Sequence, residues 1–477
     1  MKKTLIGRKK EIKVLKDALV SEKPEFVAIV GRRRIGKTFL VKETYGKRIN
    51  YELTGLQYAD KKSQLQNFIF ALQNYCPDFD IVEKPTSWLE AFYMLSKALE
   101  QQGCSGKKVV FLDELPWLGT KRSQFIMGLS WFWNSWAVNQ NIVVVICGSA
   151  ASWMIEKVIN DRGGLHNRVT RLLEVQPFTL GEVREFMRLR KIRLNEYHIT
   201  QLYMVMGGVP MYLDQIEPGL SAVQNIKAIC FDSGGYLRKE FDRLFASLFD
   251  NAEKHVEIVR ALASKRMGMT REEIITETKH KNGGSLTTIL NELKESGFID
   301  TYSGYGKRKQ LSLYRLTDPY SLFYLTYIEP LVKGKKGFVE NLSELPNFKA
   351  WSGYSFENIC LAHIHQIRKA LGISGLNIFT SSFFAKPKDG LKGAQIDLLI
   401  DRSDNAINLC EIKYSTKSYT VTKRDVENLQ NKKTVFAYHT KTKKHIFTTL
   451  ITTHGVTDNA HRLNHVDQVV TLKDLFA

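Results

Sequence analysis

Eight residues near the amino end have the types and spacing to hold phosphate. Gly31, Arg32, Arg33, Arg34, Ile35, Gly36, Lys37 and Thr38 fit the pattern GxxxxGK[ST]. They follow an apolar run at residues 26–30 and precede an apolar helical pattern. The two glycines let the backbone turn, so that N–H groups from Gly31 through Phe39 point at phosphate oxygens at the positive end of the next helix. Lys37 is then placed for the β- and γ-phosphates of a nucleoside triphosphate, expected to be ATP. The Thr38 hydroxyl is placed as a ligand of Mg²⁺. A glycine-rich turn can match by chance, but the flanking strand and helix both argue against chance here.

Two further apolar runs end in residues that complete this chemistry. Residues 109–114 read Val-Val-Phe-Leu-Asp-Glu. A strand of a parallel sheet delivers its last residues into the crevice where ligands bind. Asp113 is the expected Mg²⁺ carboxylate, direct or through water, and Glu114 the expected general base for the attacking water. Residues 142–147 lead into Gly148 and Ser149, so Ser149 is expected to touch the γ-phosphate or the water; an ordinary strand-to-helix turn is the competing account. Arg168 and Arg171 lie in a polar segment beyond. Either is a candidate to neutralise transition-state charge, in cis or across a subunit interface, with Arg168 the one assigned.

A second constellation lies near the carboxyl end. Asp397 closes the string Gly-Ala-Gln-Ile-Asp, and Glu411 and Lys413 stand two apart in a later apolar run. A strand–turn–strand layout brings Asp397 and Glu411 together, and residues two apart on a strand share a face. Two carboxylates and a lysine there can hold Mg²⁺ against a scissile phosphate, with Lys413 orienting the water. Glu357, on an upstream helix, is the candidate third carboxylate. His363 and His365, i and i+2 on a helix, point apart and read as surface or packing histidines.

The strings IGRKKEI (6–12), GRRRIGKT, LDELPWL (112–118), CGSAASWM (147–154), GGLHNRVTR (163–171) and GGVPMYL (207–213), in that order, resemble the AAA+-like ATPases of archaeal and bacterial type, relatives of the STAND ATPases. The resemblance covers about the first half of the chain. It implies that Gly7 and Arg8 lie near the adenine, and that Gly208 and Pro210 start a lid helix closing over the nucleotide. The chain departs from it at Ser149, where asparagine is common. The carboxyl-terminal pattern of Asp, thirteen residues, then Glu-x-Lys resembles the PD-(D/E)XK nuclease superfamily, with Ile396 in the proline position. That resemblance implies a nuclease; a retained fold with solvated acids, or one that binds DNA without cutting, stays open.

The elements that must position these residues follow from hydrophobic period. The first half alternates short apolar runs with helix-length patterns, the signature of an α/β parallel sheet. Residues 181–252 read as a helical lid. Residues 253–332 read as three helices (255–263, 270–276, 285–296) followed by a hairpin, the layout of a winged helix. On the third helix Thr287, Thr288, Asn291 and Lys294 are expected outward, and Leu286, Ile289, Leu290 and Leu293 inward. The hairpin carries Tyr302, Tyr305, Lys307, Arg308, Lys309 and Arg315, a set suited to phosphate contact and stacking on DNA; a protein-interaction or lid module is the alternative. Residues 333–336 read as a linker. The expected division is 1–180 P-loop ATPase core, 181–252 lid, 253–332 winged helix and 345–477 restriction-endonuclease-like α/β domain.

Composition agrees with this outline. The 477 residues exceed what one core serves. A net charge of +20 suggests a polyanionic partner, nucleic acid before membrane. Six scattered cysteines without a CxxC pair argue against a disulfide framework or zinc site. No signal peptide or membrane span is apparent, so a cytoplasmic location is expected. The expected activity is Mg²⁺-dependent ATP hydrolysis controlling a DNA-directed nuclease, with a nucleotide-dependent homo-oligomer as a further expectation. The rivals are an ATP-regulated binding or signalling switch with a catalytically silent nuclease fold, and a membrane-surface ATPase recruited by its charge.

Overall fold

The computed structural model describes residues 5–103, 106–120, 122–160, 163–249, 251–265, 267–302, 304–306, 312–334, 345–388 and 390–477. It forms two compact units. One comprises Met1–Pro177, Ser247–Asp250 and Asn291–Gly297; the other comprises Phe178–Ala246, Asn251–Leu290 and Phe298–Ala477.

The first unit is built on five parallel strands, β1 (Glu25–Val30), β2 (Ile49–Thr54), β3 (Lys108–Asp113), β4 (Ile142–Gly148) and β5 (Arg171–Glu174), in the order β2-β3-β4-β1-β5. The central strands β1 and β4 are buried along their whole length, as continuous Val/Ile runs covered on both faces must be. One hydrophobic cluster covers each face: Phe26, Val144 and Leu112 lie in one, Val27, Val143 and Phe111 in the other. Because the strands are parallel, Val30, Asp113 and Gly148 all arrive at one edge of the sheet.

At the opposite edge Glu25, at the start of β1, holds the start of β5. Arg171 donates to it at 2.9 Å and the Thr170 hydroxyl donates to its other oxygen. Burial pushes the Glu25 carboxyl up, but these hydrogen bonds outweigh burial and hold it down at about 2. A carboxylate depressed by folding contributes stability above its unfolded value and loses it as the pH falls. Glu25→Gln is therefore expected to lower stability at neutral pH by about 1–3 kcal/mol. In denaturant titrations the difference from the parent should shrink between pH 4.5 and 2; a constant difference over that window would refute the account.

The second unit opens with two helices, Leu180–Leu189 and Glu196–Met206, capped by Thr179 and Asn195. The helix that Pro210 starts is a single turn, Pro210–Leu213, and Gly208 accepts a hydrogen bond from the Phe178 N–H at 2.7 Å. Three helices follow in the chain, Ala252–Ser264, Arg271–Thr278 and Gly284–Glu295, the last divided between the units after Leu290, then the antiparallel pair β6 (Ile299–Tyr302) and β7 (Leu313–Leu316). Along the third helix Thr287, Thr288, Asn291 and Lys294 are exposed, while Leu286, Ile289, Leu290 and Leu293 are buried.

The hairpin departs from expectation. Arg315 is buried rather than exposed on the hairpin surface, and Tyr302 and Tyr305 are only half-exposed. Tyr305 donates its N–H to Ser382 at 2.9 Å and sets its ring edge-on to Phe436, 4.9 Å away. A basic wing facing DNA is thus not what Tyr302, Tyr305 and Arg315 form; they turn inward, onto the carboxyl-terminal part of the same unit. Lys307, Arg308 and Lys309, like Lys335 and Lys336 of the expected linker, lie outside the described residues.

That part is a mixed sheet of β8 (Ile378–Ala385), β9 (Ala394–Arg402), β10 (Ala406–Lys413), β11 (His445–Thr452) and β12 (Gln468–Thr471), in the order β12-β11-β10-β9-β8. The first three pair antiparallel and the last three parallel. The helix Phe348–Ala362 packs on β10, and the helix Lys423–Thr440 on β8 and β9. No described helix is long and apolar enough to cross a membrane.

Candidate functional site

The phosphate loop links β1 to the helix Lys37–Tyr45. Gly31 has φ +146°, and a Cβ there would lie 2.4 Å from the Val175 carbonyl oxygen. Gly36, at φ +86°, immediately precedes the helix and leaves its first N–H groups facing the loop. Lys37 is 5% exposed. Its ammonium donates to the carbonyls of Gly31 (2.8 Å) and Arg32 (3.0 Å) and to the Ser149 hydroxyl (3.2 Å).

The partner acids sit where the strand order requires. The Thr38 hydroxyl donates to Asp113 Oδ2 at 2.7 Å, and Asp113 Oδ1 accepts from the Glu114 N–H at 3.0 Å. Burial raises the Asp113 carboxyl, opposed by the hydrogen bond from Thr38. A hydroxyl and a carboxylate side by side, both hard oxygen donors, fit a Mg²⁺ ion. Glu114 is left-handed (φ +50°), which turns its side chain onto the tip of β4. There it accepts from the Ser149 hydroxyl at 2.7 Å and the Ser149 N–H at 3.2 Å. Because β4 lies between β1 and β3, Ser149 bridges Lys37 and Glu114.

The remaining loop residues are distributed around this centre. Gly7 and Arg8 are both left-handed, and Arg8 is buried with its guanidinium 3.5 Å from the Ile35 carbonyl and 3.6 Å from Glu11. Arg32 and Ile35 are buried, Arg34 is left-handed, and the Arg33 guanidinium lies 5.8 Å from the Trp117 ring centroid. Arg168 is exposed in the segment leading into β5. As β5 runs parallel to β1 with Arg171 opposite Val27, that segment ends at the sheet edge away from the loop. The in-cis role considered for Arg168 and Arg171 is corrected on this ground, and Arg171 is committed to Glu25.

The carboxyl-terminal constellation also converges. Strands β9 and β10 pair through Cys410 opposite Leu398, and the same register sets Glu411 opposite Asp397. The helix Phe348–Ala362 brings Glu357 to a cavity of about 320 Å³ that Asp397 and Arg315 also line. Burial and then the neighbouring Asp397 carboxylate push Glu357 up to about 7, against the pull of Arg315. Asp397 accepts from Gln395 at 2.7 Å. The two oxygens of Glu411 are held by Lys413 at 2.9 Å and Lys432 at 2.6 Å. Burial raises the Glu411 carboxyl, but Lys432 and then Lys413 bring it below the usual carboxylate value.

Among the described residues no three His, Cys, Asp or Glu side chains are grouped to hold a metal ion. Glu357, Asp397 and Glu411, expected around one cation, do not form such a group here. The acids share one region, but cations hold Glu357 and Glu411: Arg315 Nη2 lies 3.2 Å from Glu357, and the lysines occupy Glu411. Sequence reasoning missed Lys432, a buried lysine in an otherwise amphipathic helix that carries no motif. His363 is buried; its Nε2 accepts from the Leu180 N–H and its Nδ1 donates to the Ile359 carbonyl, a packing role, while His365 is exposed.

The uncharacterized protein MJECL04 of Methanocaldococcus jannaschii is 23% identical over 413 residues, covering 86% of this chain and 87% of its own length. Among solved structures, the Walker-type ATPase PABY2304 of Pyrococcus abyssi is 17% identical, covers 67% of this chain and 96% of that one, and has a TM-score of 0.48. The ORC2 protein of Aeropyrum pernix, solved as ADPNP–ADP complexes, is 14% identical over 70% of this chain and 97% of that one, with a TM-score of 0.41. Residues 5–216 match the family described as an ATPase domain predominantly from Archaea.

Proposed function

We propose that the chain hydrolyses ATP with Mg²⁺ at residues 31–38 and uses its nucleotide state to control a DNA-directed, metal-dependent nuclease centre. The observation that carries the first half is the connected set Lys37, Ser149, Glu114, Thr38 and Asp113. ATP brings phosphate oxygens that replace the loop carbonyls as partners of Lys37. Thr38 and Asp113 are the residues that hold Mg²⁺, which supplies charge neutralisation at the β- and γ-phosphates. Glu114 takes the proton of the attacking water, and Ser149 keeps that carboxylate aimed at the γ-phosphate side. The N–H groups of residues 31–39 cradle the phosphates, with Gly7 and Arg8 on the nucleoside side. Arg168 acts only from a second copy, so it belongs to a nucleotide-dependent oligomer.

The nuclease half rests on Asp397 opposite Glu411, with Lys413 beside it and Glu357 in reach. In this reading Asp397, Glu411 and Glu357 hold the cation, and Lys413 orients the water. One observation favours the second reading, a silent fold that only binds: both oxygens of Glu411 and one of Glu357 already engage cations.

Cleavage assays with ATP, a non-hydrolysable analogue and no nucleotide, each with Mg²⁺ or Mn²⁺, separate the two. Glu114→Gln is expected to keep ATP binding while turnover falls by about 10²–10⁴, and to cleave DNA as the analogue-bound parent does. Equal cleavage in all three nucleotide states would overturn the coupling. Absence of cleavage under every condition would establish the silent fold.

A further inference from the structure

The cavity beside Glu357 and Asp397 has a wall chemistry that the metal reading does not use. Tyr302 of β6, Tyr354 of the helix Phe348–Ala362, and Phe383 and Phe384 of β8 line it, and Phe384 stays 46% exposed although large and apolar. Arg315 also lines it, with its guanidinium 4.3 Å from the Tyr354 ring centroid. One arm of that guanidinium donates to the Tyr354 hydroxyl at 3.1 Å and the other to Glu357 at 3.2 Å.

The cavity is also small. Its volume, about 320 Å³, lies at the small end of ligand pockets, and Met267, Tyr302 and Leu313 are among the residues that line it. The pair β6 and β7 supplies Tyr302 and Leu313, and just beyond β6 Tyr305 is tied to Ser382 of β8 and packs on Phe436 of the helix Lys423–Thr440. The cavity's volume is commensurate with one nucleotide and far below that of a duplex segment. One unpaired nucleotide fits the space.

We infer that this cavity seats a single unpaired nucleotide of a nucleic-acid strand, its base against the Phe384 and tyrosine rings and its phosphate on Arg315. The inference rests on the proposed nuclease centre and names its substrate class: single-stranded or frayed DNA rather than the interior of a duplex. Aromatic rings accept any base by stacking, so the seat is tolerant of sequence. The guanidinium fork matches phosphate oxygens two at a time. A divalent cation taking Glu357 and Asp397 would free the second arm of Arg315 for phosphate. Charge balances in that exchange, since the carboxylate keeps a cation as partner and the guanidinium keeps an anion.

The test is fluorescence anisotropy with the full chain in Ca²⁺, comparing a labelled 20-nucleotide single strand with the blunt duplex of the same sequence. The single strand is expected to bind at least about tenfold more tightly. Arg315→Met and Phe384→Ala should each weaken single-strand binding by about tenfold or more and leave duplex binding unchanged, with Arg315→Lys in between. Phe384 is exposed, so its removal spares the fold and keeps the test decisive should Arg315→Met unfold. Parent-like single-strand affinity in Phe384→Ala and in folded Arg315→Met, or a duplex bound as tightly as the single strand, would overturn the inference. A single strand bound through Arg315 and Phe384 but never cut with Mg²⁺ or Mn²⁺ would uphold the seat and sink the nuclease reading instead.

Discussion

Lys37→Ala is expected to lower ATP turnover by about 10²–10³ or more and to weaken nucleotide binding. The size follows from where the ammonium sits. It is 5% exposed and held by two loop carbonyls and the Ser149 hydroxyl, so a phosphate reaching it would meet a largely buried charge. A preorganised charge there acts at low dielectric, where each contact is worth far more than in bulk water. The loss should divide unequally. On the proposed site, binding would draw also on the N–H groups of the loop and on Mg²⁺ at Thr38 and Asp113, whereas the charge developing on the γ-phosphate oxygens would draw on Lys37. Turnover should therefore fall more than affinity. Phosphate release and fluorescent-nucleotide titration measure the two; turnover unchanged in Lys37→Ala would remove the assignment of the loop.

The parts of this machinery that were legible in the sequence share a physical cause. Strands β1, β3 and β4 are almost wholly buried, so selection for burial leaves an uninterrupted apolar run ending at the site. The edge strands β2 and β5 are half-exposed, and their residues, such as Asn50, Glu52 and Arg171, break the run. β8 was missed likewise: an edge strand carrying Thr380, Ser381 and Ser382 does not alternate cleanly. The loop was readable because its spacing is local, and Asp113 and Glu114, some 75 positions on, because they stand at the end of a buried apolar strand. Ser149 lies 112 residues from Lys37, and only the insertion of β4 between β1 and β3 makes them neighbours.

The hairpin shows the converse. Its charges and tyrosines were visible, but composition gives no direction. Arg315 could face water or the interior, and the residues that draw it inward, Tyr354 and Glu357, lie 39 and 42 positions away. Lys432 escaped for the same reason, since its partner Glu411 is 21 positions distant and on another element.

Asp397→Asn is expected to abolish Mg²⁺- or Mn²⁺-dependent cleavage, by at least about a hundredfold, while leaving the fold intact. Of the three carboxylates it gives the cleanest test. Its one hydrogen bond among those described is from Gln395, on its own strand, and it is half-exposed, so loss of its charge strands no partner. Glu411 is different. Removing it would leave Lys432, 8% exposed, without its carboxylate, and breaking a buried pair from one side costs about 3–5 kcal/mol. Glu411→Ala should therefore lose activity and stability together, and its inactivity would say little about metal. Lys413→Ala stands between the two, because Glu411 keeps Lys432 when Lys413 is gone. The expected order of thermal stability is parent and Asp397→Asn, then Lys413→Ala, then Glu411→Ala, with all three variants inactive. Cleavage by Asp397→Asn at the parent rate, in protein that unfolds at the parent temperature, would move the cutting away from this cleft altogether.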